Sequence, residues 1–396
     1  MAAVLPVYFR EVSASGLTGS LATAYWGYAT AAALFISAVI APFVGTVADL
    51  NHNKKGILAA FTLLGTAATA SMYWMGPGKW LGTLILMIAG TIGFSVSIIC
   101  YDSLLPHIVP AERLDSTSAW GYALGYLGGG ILLGVNLCMI LLLPGTYGAR
   151  ISFLSVALWW ALFTIPLMLF VPEPIMNGNG AVGLGMIPVT WNRLRTTFRE
   201  IHKYRELFKF LLAFWVYNDG IGTVIRMAAI YGSQLGIGMS SLVGALLLTQ
   251  FVAVPFSVLS GKMAQTIGPK RVLNLALICY TGIAMGAVFL RYSWHFWCLA
   301  ASVGMVQGGA QSISRSIYAS MVPKGRSGEF FSFYDISSKF AGIAGPIIFA
   351  TLTQATGSSR LAIAVIASTF IIGMVILKKV DITKGKIMAR ASIGNS

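Results

Sequence analysis

The sequence predicts an all-α protein that crosses a membrane many times, and three observations carry that prediction. Of the 396 residues, 57% are hydrophobic and only 10% are charged, a balance that suits a multi-span membrane protein and not a soluble domain of this size. Apolar runs of about 20 residues, the length a helix needs to cross a bilayer, recur along the whole chain. The basic residues, finally, are shared very unequally between alternate loops.

Taken in order, residues 1–9 are apolar but too short to span, and they read as the outer half of a first helix whose beginning is missing from the chain. Full-length apolar runs follow at 21–44, 57–75, 81–104, 118–143 and 147–171, then at 207–231, 240–261, 271–290, 293–314, 329–354 and 359–377. That is eleven spans plus a partial one, a six-plus-six plan with an N-terminal bundle at 1–171 and a C-terminal bundle at 207–378. Between them, 172–206 opens with Pro172-Glu173-Pro174, passes Asn177 to Gly180, and turns basic and amphipathic from Trp191 to Arg205. It reads as a linker followed by a short helix on an anionic membrane surface, with a calmodulin-type target helix as the alternative. A basic tail occupies 379–396.

If 172–206 is cytoplasmic, the loops and helix ends on that side hold 20 Lys and Arg against five opposite. This bias puts both termini in the cytoplasm and accounts for the +15 net charge without nucleic acid. Cys100, Cys138, Cys279 and Cys298 fall in apolar runs and read as small core residues. His52, His107, His202 and His295 are scattered over loops and ends. No metal, cofactor or catalytic motif is present, so an enzyme is not expected.

An internal repeat organises the spans. Val109-Pro110-Ala-Glu-Arg113 recurs from Val322 as Val322-Pro323-Lys-Gly-Arg326, an offset of 213, and each is preceded six residues earlier by a serine, Ser103 or Ser316. Gly45-Thr-Val-Ala-Asp49 matches Gly261-Lys-Met-Ala-Gln265 at an offset of 216, and a basic pair follows each, Lys54-Lys55 and Lys270-Arg271. Two like-oriented halves are the plan of major facilitator transporters. Gly45-x-x-x-Asp49 with Lys54-Lys55 resembles that superfamily's loop motif between the second and third helices, which implies a gate latch. Leu50 replaces the usual Arg, and Gln265 replaces the acid in the second copy.

Ionisable residues within the spans mark either a polar path or a structural ion network. Asp219 and Arg226 lie seven apart in the 207–231 run, on one helical face. Gln307, Gln311 and Arg315 form a stripe at spacing four, suited to solute contact or to interhelical hydrogen bonds. Asp335 and Lys339 are an i,i+4 pair in the favourable order. The repeat sets Asp102 opposite Arg315 (offset 213), either an inner gate pair or two helix caps. Gly121, Gly125 and Gly129 read as a close-packing face, with a gating hinge as the alternative.

Four stretches together resemble the autophagy-related vacuolar effluxer family, a branch of the major facilitator superfamily: Tyr101-Asp102-Ser-Leu-Leu-Pro106, Tyr217-Asn218-Asp219-Gly220 with Ile225-Arg226-Met-Ala-Ala, Gln307-Gly-Gly-x-Gln311-x-x-Ser-Arg315, and Phe333-Tyr-Asp335-x-x-x-Lys339. The resemblance covers almost the whole chain. The leading reading is a monomeric secondary transporter working by alternating access, with Asn218, Asp219, Arg226, Gln307, Gln311, Asp335 and Lys339 along the path. Fungal members are associated with amino-acid export from the vacuole, so small polar solutes, amino acids among them, are the expected cargo. A solute carboxylate would meet Arg226 or Lys339, an ammonium would meet Asp219 or Asp335, and protonation of either acid would supply coupling. The rival readings are a non-transporting sensor or scaffold, and a transporter of sugars, nucleosides or drugs. Short loops point to a bacterial inner membrane, with an endomembrane as the alternative.

Overall fold

The computed structural model describes residues 4–173, 186–199, 204–234, 239–290, 292–356 and 359–391, and every regular element among them is helical. In chain order these are α1 (Val4–Tyr8), α2 (Gly19–Leu50), α3 (Lys54–Ser71), α4 (Trp80–Ile108), α5 (Leu114–Leu142), α6 (Tyr147–Phe170) and α7 (Met186–Arg199). There follow α8 (Arg205–Gln234), α9 (Met239–Ile267), α10 (Pro269–Ala287), α11 (Ser293–Met321), α12 (Ser327–Thr356), α13 (Ser359–Lys378) and α14 (Ile382–Ala391). Seven helices among the described residues are long and apolar enough to cross a membrane. At about 1.5 Å per residue, the 29 residues of α4 reach roughly 43 Å, beyond the ~30 Å hydrocarbon core. Helices α8, α11 and α12, of 30, 29 and 30 residues, have the length as well and carry the polar residues picked out from sequence.

Helix ends follow local chemistry. Asn53 caps α3 by accepting the Gly56 N–H at 3.0 Å, and Pro269 opens α10 at a position where no amide hydrogen is needed. The repeat is visible in the turns before these helices. His52 at φ 51° and Gly268 at φ 92° stand 216 residues apart, each in the left-handed region. Glycine meets that demand without strain, whereas histidine does not. The basic segment after α6 forms α7, which starts five residues before Trp191, and 174–185 lie outside the described residues.

Two compact units result. One comprises Met1–Leu104, Ile131–Arg195 and Arg326–Asp335; the other comprises Leu105–Gly130, Thr196–Gly325 and Ile336–Ser396. Each therefore takes a short stretch from the other half of the sequence. In the first unit α3 packs on α4 and α6 through glycine: a Cβ on Gly65 would stand 2.2 Å from the Trp160 ring, and one on Gly93 2.7 Å from Gly65 Cα. In the second, α9 and α11 approach closely where Gly304 and Gly308 face Val252 and Ser257. Two sequence expectations need correction. Gly125 and Gly129 are exposed with open space around them, Gly130 makes only ordinary contact with Gln250 and Phe251 of α9, and α5 is approached closely at Ala119, by Gly261 of α9. Of the cysteines only Cys100 is buried; Cys138, Cys279 and Cys298 are exposed, because an apolar thiol loses little by facing outward from an apolar helix.

The tail helix α14 is docked by charge. Glu206, buried at the start of α8, accepts the Asp381 N–H at 2.8 Å and the Lys209 ammonium at 2.7 Å. Lys270 donates to the Lys378 and Val380 carbonyls, at 3.0 and 2.7 Å, and so caps the end of α13. Burial opposes ionisation of Glu206, yet the Asp381 N–H and Lys209 outweigh it and hold the carboxyl below the usual carboxylate range. The docking is therefore complete above the unfolded value of about 4.3 and weakens as pH falls through the lower folded value. Amide exchange of residues 382–391 should rise relative to α13 across that acid window, and the Glu206→Gln protein should show the rise already at pH 7. In the turns, His52→Gly should raise the unfolding temperature. Gly268→Ala should cost about 1–2 kcal/mol in thermal unfolding, because its surroundings are open and the cost is backbone strain alone.

Candidate functional site

Each unit contains a polar cluster set in apolar helices. In the first unit the cluster centres on Asp49, in the last turn of α2. A carboxylate there opposes the dipole of its own helix, so its stabilisation must come from elsewhere. It comes from the N-terminus of α12: Oδ1 accepts the Gly328 N–H and Oδ2 the Glu329 N–H, both at 2.9 Å. Lys54 Nζ stands 3.0 Å from Asp49 Oδ1 and also donates to the Ser327 hydroxyl, with both side chains at most 2% exposed. Gly45, one turn earlier, makes the approach possible, since a Cβ there would sit 2.3 Å from the Gly328 carbonyl oxygen. Glu329 is itself fully buried, held bidentately by Arg326 at 2.9 and 3.0 Å and by Arg193 of α7 at 3.4 Å.

The repeat reproduces the backbone approach in the second unit with different chemistry. Gly261 of α9 meets the first turn of α5, where a Cβ would lie 2.5 Å from Ala119 Cβ and 3.3 Å from the Asp115 carbonyl oxygen. Gln265, which replaces the acid, is exposed. The polar contacts run instead between α5 and α11. The Ser316 hydroxyl donates to Asp115 at 2.5 Å, and the Ser118 hydroxyl donates to the Ser312 carbonyl at 2.7 Å. Arg315, 5% exposed, donates to the Ser118 hydroxyl and carbonyl at 3.0 Å each and lies over the Tyr122 ring at 4.6 Å. The Tyr126 hydroxyl donates to Gln311 at 2.5 Å and accepts from Gln307 at 3.2 Å. The predicted glutamine stripe thus has its partners on α5.

Elsewhere in the second unit, Asp219 of α8 is buried and its Oδ1 accepts the Gly345 N–H at 3.0 Å. That amide precedes Pro346, where α12 loses a regular bond of its own. Asn218 reaches the Ser338 hydroxyl at 3.5 Å, and Tyr217 bonds the Ser314 hydroxyl at 2.6 Å. The side chain of Arg226 lies outside the described residues. Asp335 and Lys339 are half-buried on α12, and Asp102 is half-buried on α4. A cavity of about 110 Å³ opens between α8, α9, α10, α11 and α13, apolar apart from Thr223, Thr249 and Gln307. Among the described residues no group of His, Cys, Asp and Glu suits a metal ion.

Sequence reasoning missed the α5 side of this seam. Asp115, Ser118, Tyr122 and Tyr126 recur at spacings of three and four in an apolar helix, and that polar stripe was the available signal. It also missed Arg193 and Glu329, which no local pattern connects.

Comparison with known proteins identifies the family. The profile described as vacuole effluxer Atg22 like matches residues 15–390. The chain belongs to that family. The MFS-type transporter YxiO of Bacillus subtilis (strain 168) is 38% identical over 392 residues, covering 95% of this chain and 89% of YxiO. Autophagy-related protein 22-1 of Penicillium rubens is 24% identical over 475 residues, covering 96% of this chain and 80% of the relative. Among solved structures, the proton:xylose symporter XylE has a TM-score of 0.75 at 16% identity over 97% of this chain and 92% of its own. The human organic anion transporter MFSD10 has a TM-score of 0.71 at 15% identity, over 95% and 89%. This Atg22-like protein accordingly has the major facilitator fold, is an integral multi-pass membrane protein, and belongs among transporters and not enzymes, as its sequence leads one to expect.

The Asp49 cluster yields a direct test. Asp49→Ala leaves Lys54 uncompensated and two α12 amides without their acceptor, and should cost about 3–5 kcal/mol in thermal unfolding. Gly45→Ala should destabilise too, by driving α2 off α12, whereas Gln265→Ala at the exposed repeat position should leave the transition unchanged.

Proposed function

We propose that this protein is a secondary transporter of small polar solutes, amino acids among them, and that its two like-oriented sequence halves work by alternating access. The observation that carries this reading is the Asp49 cluster. It joins the α2–α3 turn of the first sequence half to the first turn of α12 in the second with hydrogen bonds and charge pairs, contacts that can be broken and remade. Gly45, Asp49, Asp102 and Arg315 act in this proposal as gate residues. Asn218, Asp219, Arg226, Gln307, Gln311, Asp335 and Lys339 line the solute and ion path. Buried ionisable groups in membrane helices are costly and are kept where they bind or conduct. Protonation of Asp219 would free the Gly345 N–H and is the proposed coupling step, with Asp335 as the second acid. The positive-inside bias of 20 to five supports cytoplasmic termini, and the 38% identity to YxiO supports a bacterial inner membrane.

The fold itself selects no solute, since a proton:xylose symporter and an organic anion transporter share it. Uptake of radiolabelled amino acids into proteoliposomes tests the proposal. The full-length protein should accumulate label above empty vesicles. Asp219→Asn and Arg226→Ala should lower the initial rate by about ten-fold or more, the loss expected for one charge-assisted contact. Equal rates for all three proteins would remove these residues from the path.

A further inference from the structure

The segment that joins the two sequence halves meets the Asp49 cluster at two described places, Glu173 and α7. At its front, Glu173 accepts the Lys54 N–H at 2.7 Å and the Lys55 N–H at 2.9 Å, so one carboxylate caps the helix that supplies Lys54. Lys55 returns the contact through its ammonium, 2.6 Å from the Val171 carbonyl. At its back, α7 is seated by the buried Leu194 and by Trp191, stacked on Phe43 of α2 at 6.0 Å between ring centres. From that seat Arg193 reaches the carboxylate of Glu329 at 3.4 Å. Phe43 lies two residues before Gly45, and the Glu329 N–H is one of the two amides that Asp49 holds. Helix α7 therefore touches both sides of the α2–α12 contact at once.

The two arginines on Glu329 differ in kind. Arg326 is three residues away on the same turn and travels with α12 wherever it goes. Arg193 belongs to α7, which also stacks Trp191 on Phe43 of α2, so moving the first turn of α12 off α2 breaks either the Arg193–Glu329 pair or that stack. A fully buried carboxylate that loses a cationic partner is strongly disfavoured. We propose that Arg193 is a positioning residue for the gate: by holding Glu329 it favours the closed α2–α12 contact, and α7 acts as a strap on the transport cycle. The gate role rests on the function proposed above; the strap itself does not.

The experiment is hydrogen–deuterium exchange on the full-length protein in lipid nanodiscs, following residues 326–332 with α4 as internal reference. Arg193→Gln should speed exchange there about three- to ten-fold, the range for losing one partly exposed charge-assisted contact. Arg193→Lys should fall between Gln and wild type, and Arg195→Gln, at an exposed position of α7, should match wild type. Unchanged exchange at 326–332 in Arg193→Gln, or an equal rise in α4, would overturn the proposal. Should Arg193→Gln not yield folded protein, wild-type exchange in Arg193→Lys overturns it equally. The readout needs no solute, so a failed uptake experiment with an intact exchange result discards the transport reading and leaves the strap standing.

Discussion

A carboxylate sunk among apolar helices cannot be left to water, and much of the architecture around α2 and α12 follows from how Asp49 is satisfied. The end of α2 is electrostatically the wrong place for an acid, and the start of α12 is the right one. The side chain faces its own helix dipole as a debit that only a second helix can offset. That requirement fixes three further features. Gly45 must lack a side chain, because two amide hydrogens can reach one carboxylate only if the backbones nearly touch. Lys54 must be buried beside it to balance the charge. Ser327 must then give the ammonium a second partner.

The second copy of the repeat keeps the geometry and discards the charge. Gly261 still lets α9 meet the start of α5, but Gln265 turns outward, and serine hydroxyls, two tyrosines and Arg315 join α5 to α11 instead. Arg315 is held by two hydrogen bonds to Ser118 and by the face of the Tyr122 ring. Asp49 is held by two backbone amides and the Lys54 ammonium. The two clusters therefore use different partners, a hydroxyl, a carbonyl and a ring against two amides and a buried cation.

The placement of Asp219 shows a different economy. Its carboxylate accepts the Gly345 N–H of α12, so a residue read as a path-lining acid also performs a structural task. Tyr217 and Asn218 on the same turn of α8 bond serines of α11 and α12. One short stretch thus stitches α8 to two neighbours.

Hydropathy, length and repetition are local or periodic properties, and so the sequence alone yielded the all-helical membrane fold class, a repeat at offsets of 213 and 216, a basic helix after α6 and the family to which the chain belongs. It also picked out Gly45, Asp49, Gln307, Gln311 and Arg315, because polar residues in apolar runs and glycines at helix ends are conspicuous without coordinates. It erred on Gly125, Gly129 and three cysteines, because spacing marks a helical face without saying which neighbour that face meets. The partners were decided only by the tertiary structure. Asp49 and Glu329 lie 280 residues apart, and Arg193 and Glu329 136, and no periodicity in one dimension encodes which of many buried charges will stand within reach of another in three.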